Sequence, residues 1–115
     1  MRFNQKITFS ICLISVIAFN IIFPSTAFAA NTTNGAKIFE ANCAGCHING
    51  GNIVRRGKNL KMRTLKMYGM DSVDAIASIV TNGKNNMSAY KERLTEQEIQ
   101  DVAAYTLQQA QQNWH

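Results

Sequence analysis

The sequence has little proline, little cysteine and no alternating pattern of apolar and polar residues. Its single proline is Pro24, so every later turn must be made with glycine, asparagine or other residues. No segment alternates as a half-buried strand would, and apolar residues recur at helical spacing instead. The absence of repeats, low-complexity runs and linkers indicates one domain. The sequence therefore predicts a single all-α domain.

The N-terminal segment differs in composition from the rest. Two cations, Arg2 and Lys6, precede an almost wholly apolar run at 7–23, and an A-x-A cleavage pattern follows. This layout is typical of a secretory signal peptide. A membrane anchor is the alternative, because the run is about as long as a tight span, but the cleavage pattern argues against retention. We predict a signal peptide at 1–29 and a mature domain at 30–115.

Export lowers the net charge of the chain. The whole sequence carries +5, and loss of the two leader cations reduces this to +3. So small an excess in an exported protein gives no reason to expect nucleic-acid binding. Six cations nevertheless lie close together: Arg55, Arg56, Lys58, Lys61, Arg63 and Lys66. Such a run is usually only solvated, although it is also suited to docking an acidic partner and raising the encounter rate.

Four short helices are predicted in the mature domain. Asn34 is a candidate cap for the first, which runs into the cysteine pair. A second is expected at 60–68, and a third begins after Ser72 and ends at Gly83. A capping box at Thr95 begins the last helix, which should pack on the first.

The motif that carries chemistry is CAGCH, residues 43–47. Cysteines three apart on a helical turn face the same way, so Cys43 and Cys46 can form thioethers with two vinyl groups on one porphyrin edge, and His47 can ligate the iron. A redox dithiol would need a strand–helix–strand context, and structural zinc needs four ligands. One covalently bound haem c is favoured, and its apolar plate would also help a small domain to fold.

The second axial ligand decides between an electron carrier and a haem with an open iron position. The candidates are Met62, Met67, Met70, Met87 and His115. The first three methionines fit apolar helical stripes and are expected in the core, and the terminal histidine should fray. Met87 lies in a polar loop, with enough chain after His47 to reach the other haem face. We expect His47 and Met87 to be the iron ligands; a labile Met87 would indicate a haem enzyme or ligand sensor instead.

The mature sequence resembles the cytochrome c6 family over nearly its whole length. The matching residues, in the family's order and spacing, are Gly35, Phe39, CAGCH at 43–47, GGN at 50–52, Tyr68-Gly69-Met70, Asn82-Gly83-Lys84, Met87, Arg93-Leu94, Tyr105 and Trp114. The resemblance implies a class I cytochrome c fold, with about four short helices around one covalent haem and the terminal helices packed together. It also implies that Cys43 and Cys46 bind the haem and that His47 and Met87 ligate its iron.

The resemblance implies a role and a compartment as well. Proteins of this family carry single electrons from the cytochrome b6f complex to photosystem I or a terminal cytochrome oxidase, and they are not enzymes. By that likeness the mature chain is a soluble monomer of the thylakoid lumen or periplasm, in transient contact with membrane complexes.

Two positions depart from the photosynthetic members of the family. Ser88 stands where proline usually follows the axial methionine, so the loop loses a rigid φ and is expected to hold Met87 less firmly. Ile79 stands where those members carry a glutamine close to the haem, which is linked to a high potential. An apolar residue there resembles the low-potential c6-like subgroups, which have different partners. The other interpretation is a core isoleucine on a helix stripe, and both stay open.

Overall fold

The structure, a computed structural model, describes residues 29–115. Within this range every named secondary-structure element is a helix or a 3₁₀ turn. The predicted signal peptide up to residue 28 lies outside this range. The helices are α1 (Thr32–Asn42), α2 (Ala44–His47), α3 (Met62–Met67), α4 (Val73–Asn82) and α5 (Glu96–Gln111), with 3₁₀ turns at Ile48–Gly50 and Arg56–Lys58. Within 29–115 no helix combines the length and apolarity needed to cross a membrane. The all-α prediction is confirmed.

The two longer C-terminal helices begin and end where their capping residues predict. The Ser72 hydroxyl accepts a hydrogen bond from the Ala75 N–H at the start of α4, which ends at Gly83 with φ of +68°. A capping box of Thr95 and Glu98 begins α5. These predicted boundaries are confirmed. They could be predicted from the sequence because each depends on side chains within one turn of the helix end.

The first two predicted boundaries need correction. The cap of α1 is Asn31, whose Oδ1 accepts the N–H of Asn34 at 3.0 Å, so Asn34 lies within the first turn. Both asparagines are good caps, and the earlier one also donates its backbone N–H to Asp101 on α5. Helix α3 is shorter than the predicted 60–68, because Lys61 is extended and Gly69 has a positive φ.

The terminal helices pack directly on one another. Gly35 of α1 makes this possible, because a Cβ there would overlap the backbone carbonyl of Asp101 on α5. The Phe39 ring then lies 5.5 Å from Tyr105 and 5.1 Å from Trp114, measured between ring centres. The predicted contact between the first and last helices is confirmed.

The core is small and lies between α1, α3, α4 and α5. Its buried apolar residues are Ile38, Phe39, Leu65, Ile76, Ala77, Val80, Ile99, Val102, Ala103 and Ala110. Most are aliphatic residues of modest size, and half-buried side chains such as Leu60, Ile79 and Met87 pack around them. These half-buried residues form the boundary between the core and a cleft beside it.

Candidate functional site

The cleft beside the core has a volume of about 420 Å³ and mostly apolar walls. Sites for small molecules and cofactors have volumes of about 300–1,000 Å³ and a similar apolar character. Cys43, Cys46, His47 and Met87 all line this cleft. The structure therefore brings together the four residues that the sequence analysis selected.

Cys43 lies at the break between α1 and α2, and Cys46 lies within α2. Cys43 is half-buried, Cys46 is exposed, and both are free thiols. Burial raises the pKa of the Cys43 thiol to about 11. A redox dithiol works through a thiolate whose pKa is lowered. The raised pKa of Cys43 therefore argues against a redox dithiol.

The zinc alternative lacks ligands. In the part of the chain that the structure describes, no three His, Cys, Asp or Glu side chains lie close enough together to hold a metal ion, whereas structural zinc needs four ligands. His115, which would have had to complete the set, is exposed at the C-terminus and does not line the cleft.

The His47 imidazole is oriented by the backbone. Its Nδ1 lies 2.9 Å from the carbonyl oxygen of Gly51. A carbonyl oxygen only accepts, so Nδ1 carries the hydrogen, and in the neutral ring Nε2 is then the nitrogen that can bind a metal. Asn49 and Gly50 have positive φ values, 52° and 72°, and this turn brings Gly51 back to the ring. Sequence reasoning named the histidine but missed its partner, although the Gly-rich turn was visible.

Met87 belongs to a tight turn. Lys84 and Met87 exchange both backbone hydrogen bonds at 3.0 Å, with Asn85 at a φ of +53° between them. Gly83 lets this turn lie against the end of α4, since a Cβ there would be 2.6 Å from the Met87 carbonyl oxygen. The backbone of Met87 is therefore fixed by its own turn, even though Ser88 replaces the proline.

The other methionines differ from one another in the structure. Met62 and Met70 are half-buried against the core, as predicted, and Met70 also lines the cleft. The prediction of core packing is wrong for Met67, which is 65% exposed. Helix α3 is too short to bury more than one face, and Leu65 is its one buried residue.

The cleft has a rim that is both basic and apolar. All six clustered cations are exposed, and Arg55 and Lys58 line the opening. The Lys58 ammonium lies 3.2 Å from the centre of the Tyr68 ring. Ile53 and Val54, exposed by 64% and 57%, lie in the chain just before these cations. Sequence reasoning identified the cations and missed the apolar pair, which no helical periodicity marks.

Ile79 and Tyr90 complete the inner wall. Ile79 both lines the cleft and packs against the core, so its position is compatible with either interpretation and does not decide between them. Tyr90 was missed by the sequence analysis, although it lines the cleft and donates its hydroxyl to the carbonyl of Asn42 at 3.0 Å. The partners are far apart in the chain, and no local pattern reports such a pair.

Comparison with known proteins supplies the family. Residues 30–105 match the model of a family described as cytochrome c oxidase, cbb3-type, subunit III. A cytochrome c6-like protein of Nostoc sp. (strain PCC 7120 / SAG 25.82 / UTEX 2576) is 72% identical over 88 residues, which are 76% of this chain and 79% of that protein. The chain belongs to the cytochrome c6 family.

Two further relatives agree with this assignment. A cytochrome c6 of the same Nostoc strain is 50% identical over 110 residues, 96% of this chain and 99% of that protein. The crystal structure of cytochrome c6C from Synechococcus sp. PCC 7002 is 63% identical, with a TM-score of 0.69 over 70% of this chain and 99% of that one. This chain is thus similar to cytochrome c6 in sequence and in fold.

Members of the cytochrome c6 family carry one covalent haem c and act as electron carriers, not enzymes, and this chain is such a carrier. The cleft fits that cofactor. It offers two free thiols on one helical turn, an imidazole whose Nδ1 is hydrogen-bonded to the backbone, a thioether and apolar walls. These are the functional groups that covalent attachment and axial ligation of a haem require.

Proposed function

We propose that Cys43 and Cys46 bind one haem c through thioethers and that His47 and Met87 ligate its iron. The observation that carries this proposal is the convergence of all four side chains on one apolar cleft. The haem, when bound, supplies an iron that accepts and releases a single electron. The protein's task is to keep the iron ligands in the same positions while the charge of the iron changes.

The cleft residues are suited to that task. His47 is held in one tautomer by Gly51, and the backbone of Met87 is held by Lys84. Two protein ligands would leave no axial position for a substrate. A methionine partner to histidine raises the potential, and apolar burial excludes water. The same arrangement argues against a ligand sensor with a labile methionine.

We also infer an exported protein with a signal peptide at 1–29 and a cytochrome domain at 30–115, working in the thylakoid lumen or periplasm. Among the described residues, α1 begins at Thr32, three residues beyond Ala29, and packs on α5, which supports a domain that starts near the predicted cleavage position. N-terminal sequencing of the exported protein would give Ala30 as its first residue; a retained leader would contradict the assignment.

The proposed donor is the cytochrome b6f complex, and the proposed acceptor is photosystem I or a terminal cytochrome oxidase. The relatives named cytochrome c6 support this role. The rim of exposed cations beside Ile53 and Val54 is a surface that an acidic, partly apolar partner would fit.

A second candidate is a low-potential c6-like carrier with a different partner. Two observations favour it. The relative at 72% identity is named cytochrome c6-like, and Ile79 places an apolar side chain in the cleft wall where the resemblance expects glutamine. A redox titration of the holoprotein separates the two candidates, since the first requires the higher midpoint potential.

The ligand assignment is tested with Met87→Ala and a matched control, Met70→Leu. Both methionines line the cleft, but Met70 is expected only to pack. Met87→Ala should bind carbon monoxide when reduced and cyanide when oxidised, and its midpoint potential should fall. Met70→Leu should show neither change. An unaltered spectrum and unaltered ligand binding in Met87→Ala would show that another group is the sixth ligand.

A further inference from the structure

Tyr90 joins two parts of the chain that form the cleft. Its hydroxyl donates a hydrogen bond of 3.0 Å to the carbonyl oxygen of Asn42, 48 residues earlier. Asn42 directly precedes Cys43, and Tyr90 follows Met87 by three residues. This bond therefore connects the turn proposed to attach the haem with the loop proposed to supply the sixth ligand.

The Asn42 carbonyl is available because the helix breaks there. In an unbroken helix the N–H of Cys46 would donate to this carbonyl. Here the N–H of Cys46 donates to the carbonyl of Cys43 at 3.2 Å, and so does that of His47 at 3.0 Å. Carbonyls at the end of a helix need partners from elsewhere, and the Tyr90 hydroxyl is such a partner for Asn42.

Tyr90 is itself fixed at two other points. Its backbone N–H donates to the carbonyl of Val80 at 2.9 Å, so it is tied to a core residue of α4. The guanidinium carbon of Arg93 lies 4.6 Å from the centre of its ring, within the range of a cation–π contact. The hydroxyl is thus held in place by groups that do not depend on Met87.

We propose that Tyr90 is a positioning residue that ties the Met87 loop to the attachment turn and slows departure of the Met87 thioether from the iron. This inference rests on the proposed ligand assignment. Ser88 leaves the loop without the fixed φ of a proline, and the Lys84–Met87 turn restrains the loop only from within. The Tyr90 hydroxyl restrains it from outside, through the helix that begins the haem site.

The experiment compares Tyr90→Phe with Tyr105→Phe in the holoprotein. Each change removes one hydroxyl from a half-buried tyrosine and keeps the ring. Tyr105 packs on Phe39 and Trp114 outside the cleft, and its hydroxyl has no hydrogen-bond partner among residues 29–115. The measurement is the rate at which cyanide binds to the oxidised protein, with thermal unfolding followed in parallel.

Tyr90→Phe should bind cyanide about two- to twelvefold faster than the wild type, the effect of losing one net hydrogen bond. Tyr105→Phe should bind at the wild-type rate. A wild-type rate in Tyr90→Phe, or equal acceleration in both variants, would overturn the proposal. So would a lower unfolding temperature in Tyr90→Phe without faster binding, since the hydroxyl would then only stabilise the fold.

The variant Met87→Ala distinguishes a failure of the Tyr90 proposal from a failure of the ligand assignment on which it rests. Fast cyanide binding in Met87→Ala together with a wild-type rate in Tyr90→Phe would overturn only the proposed role of Tyr90. If Met87→Ala binds cyanide no faster than the wild type, the ligand assignment fails, and the proposed role of Tyr90 fails with it.

Discussion

Single residues decide which atoms of the site are free to act. The Gly51 carbonyl occupies one nitrogen of His47 and leaves the other available. Burial raises the pKa of the Cys43 thiol to about 11, so at neutral pH even less of it is thiolate than in an exposed cysteine. Ile79 contributes an apolar side chain to the cleft wall where the family resemblance expects an amide. Each of these residues sets one property of the site: ligand geometry, thiol reactivity or local polarity.

Ile79→Gln should raise the midpoint potential while leaving the visible spectrum of His/Met ligation intact. Hydrogen bonds close to the haem and burial both tune the potential, and an amide at this position changes both. The direction follows from the likeness to photosynthetic members of the family. A shift of about 59 mV corresponds to a factor of ten for one electron, enough to redirect electrons between partners. Redox titration measures the shift.

Ile79→Val is the control for this change, because it alters volume but not polarity. It should leave the potential close to that of the wild type. No shift in Ile79→Gln, or a downward one, would return Ile79 to the role of a core isoleucine.

At the scale of elements, the Met87 turn depends on Gly83 at the end of α4. The glycine has a φ of +68°, and a Cβ there would lie 2.6 Å from the Met87 carbonyl oxygen and 2.7 Å from the Ala89 nitrogen. The turn can lie against α4 only because that space is empty. The position of the proposed sixth ligand is therefore set by a residue outside the cleft wall.

Gly83→Ala should displace the Met87 turn and accelerate cyanide binding to the oxidised holoprotein. It should also destabilise the fold by about 1–3 kcal/mol, the cost of a residue held in a disfavoured φ region. Gly57→Ala is the matched control, since a Cβ there meets nothing within 4 Å. Denaturant unfolding and cyanide binding measure the two effects. Equal stability and equal cyanide-binding rates in the two variants would show that the close approach at Gly83 does not hold the Met87 turn in place.

The contact between α1 and α5 depends on Asp101, a buried carboxylate. It accepts hydrogen bonds of 2.8 Å from the Asn31 N–H, the Asn34 amide and the Gln97 amide. Burial alone raises the pKa of Asp101, but these hydrogen bonds outweigh it, so the net pKa lies below the usual value. A lowered pKa means that the ionised carboxylate stabilises the folded state.

Asp101→Asn should therefore lower the free energy of unfolding at neutral pH by about 1–3 kcal/mol, as expected for hydrogen bonds to a charged group. The stabilisation by Asp101 is fully present above the usual aspartate pKa of about 3.9, and it is lost as the pH falls through the lower pKa of the folded protein. Urea unfolding at a series of pH values should show the two proteins converging in acid. A constant difference at every pH would contradict the role of ionisation.

For the molecule as a whole, the sequence predicted what is encoded locally. The caps at Ser72 and Thr95 each depend on residues within one turn, and the structure has both. The CAGCH motif is equally local, and its cysteines and histidine line one cleft. The features that were missed depend on distant partners. Asp101 selects Asn31 over Asn34 as the cap, and Tyr90 finds its acceptor 48 residues away. The exposure of Met67 depends on how α3 lies on the core, which its own stripe does not specify.

The central claim is that Cys43 and Cys46 attach one haem covalently. The most direct test is the mass of the denatured polypeptide from a host that exports it and attaches haem, combined with acid–acetone extraction. The polypeptide should have the mass of the mature chain plus one haem, and the acetone should contain no haem. A single Cys43→Ser or Cys46→Ser change should leave one thioether, and the double change should abolish covalent attachment. A wild-type polypeptide with the mass of the bare chain, and with its haem in the acetone, would show that Cys43 and Cys46 do not attach the haem.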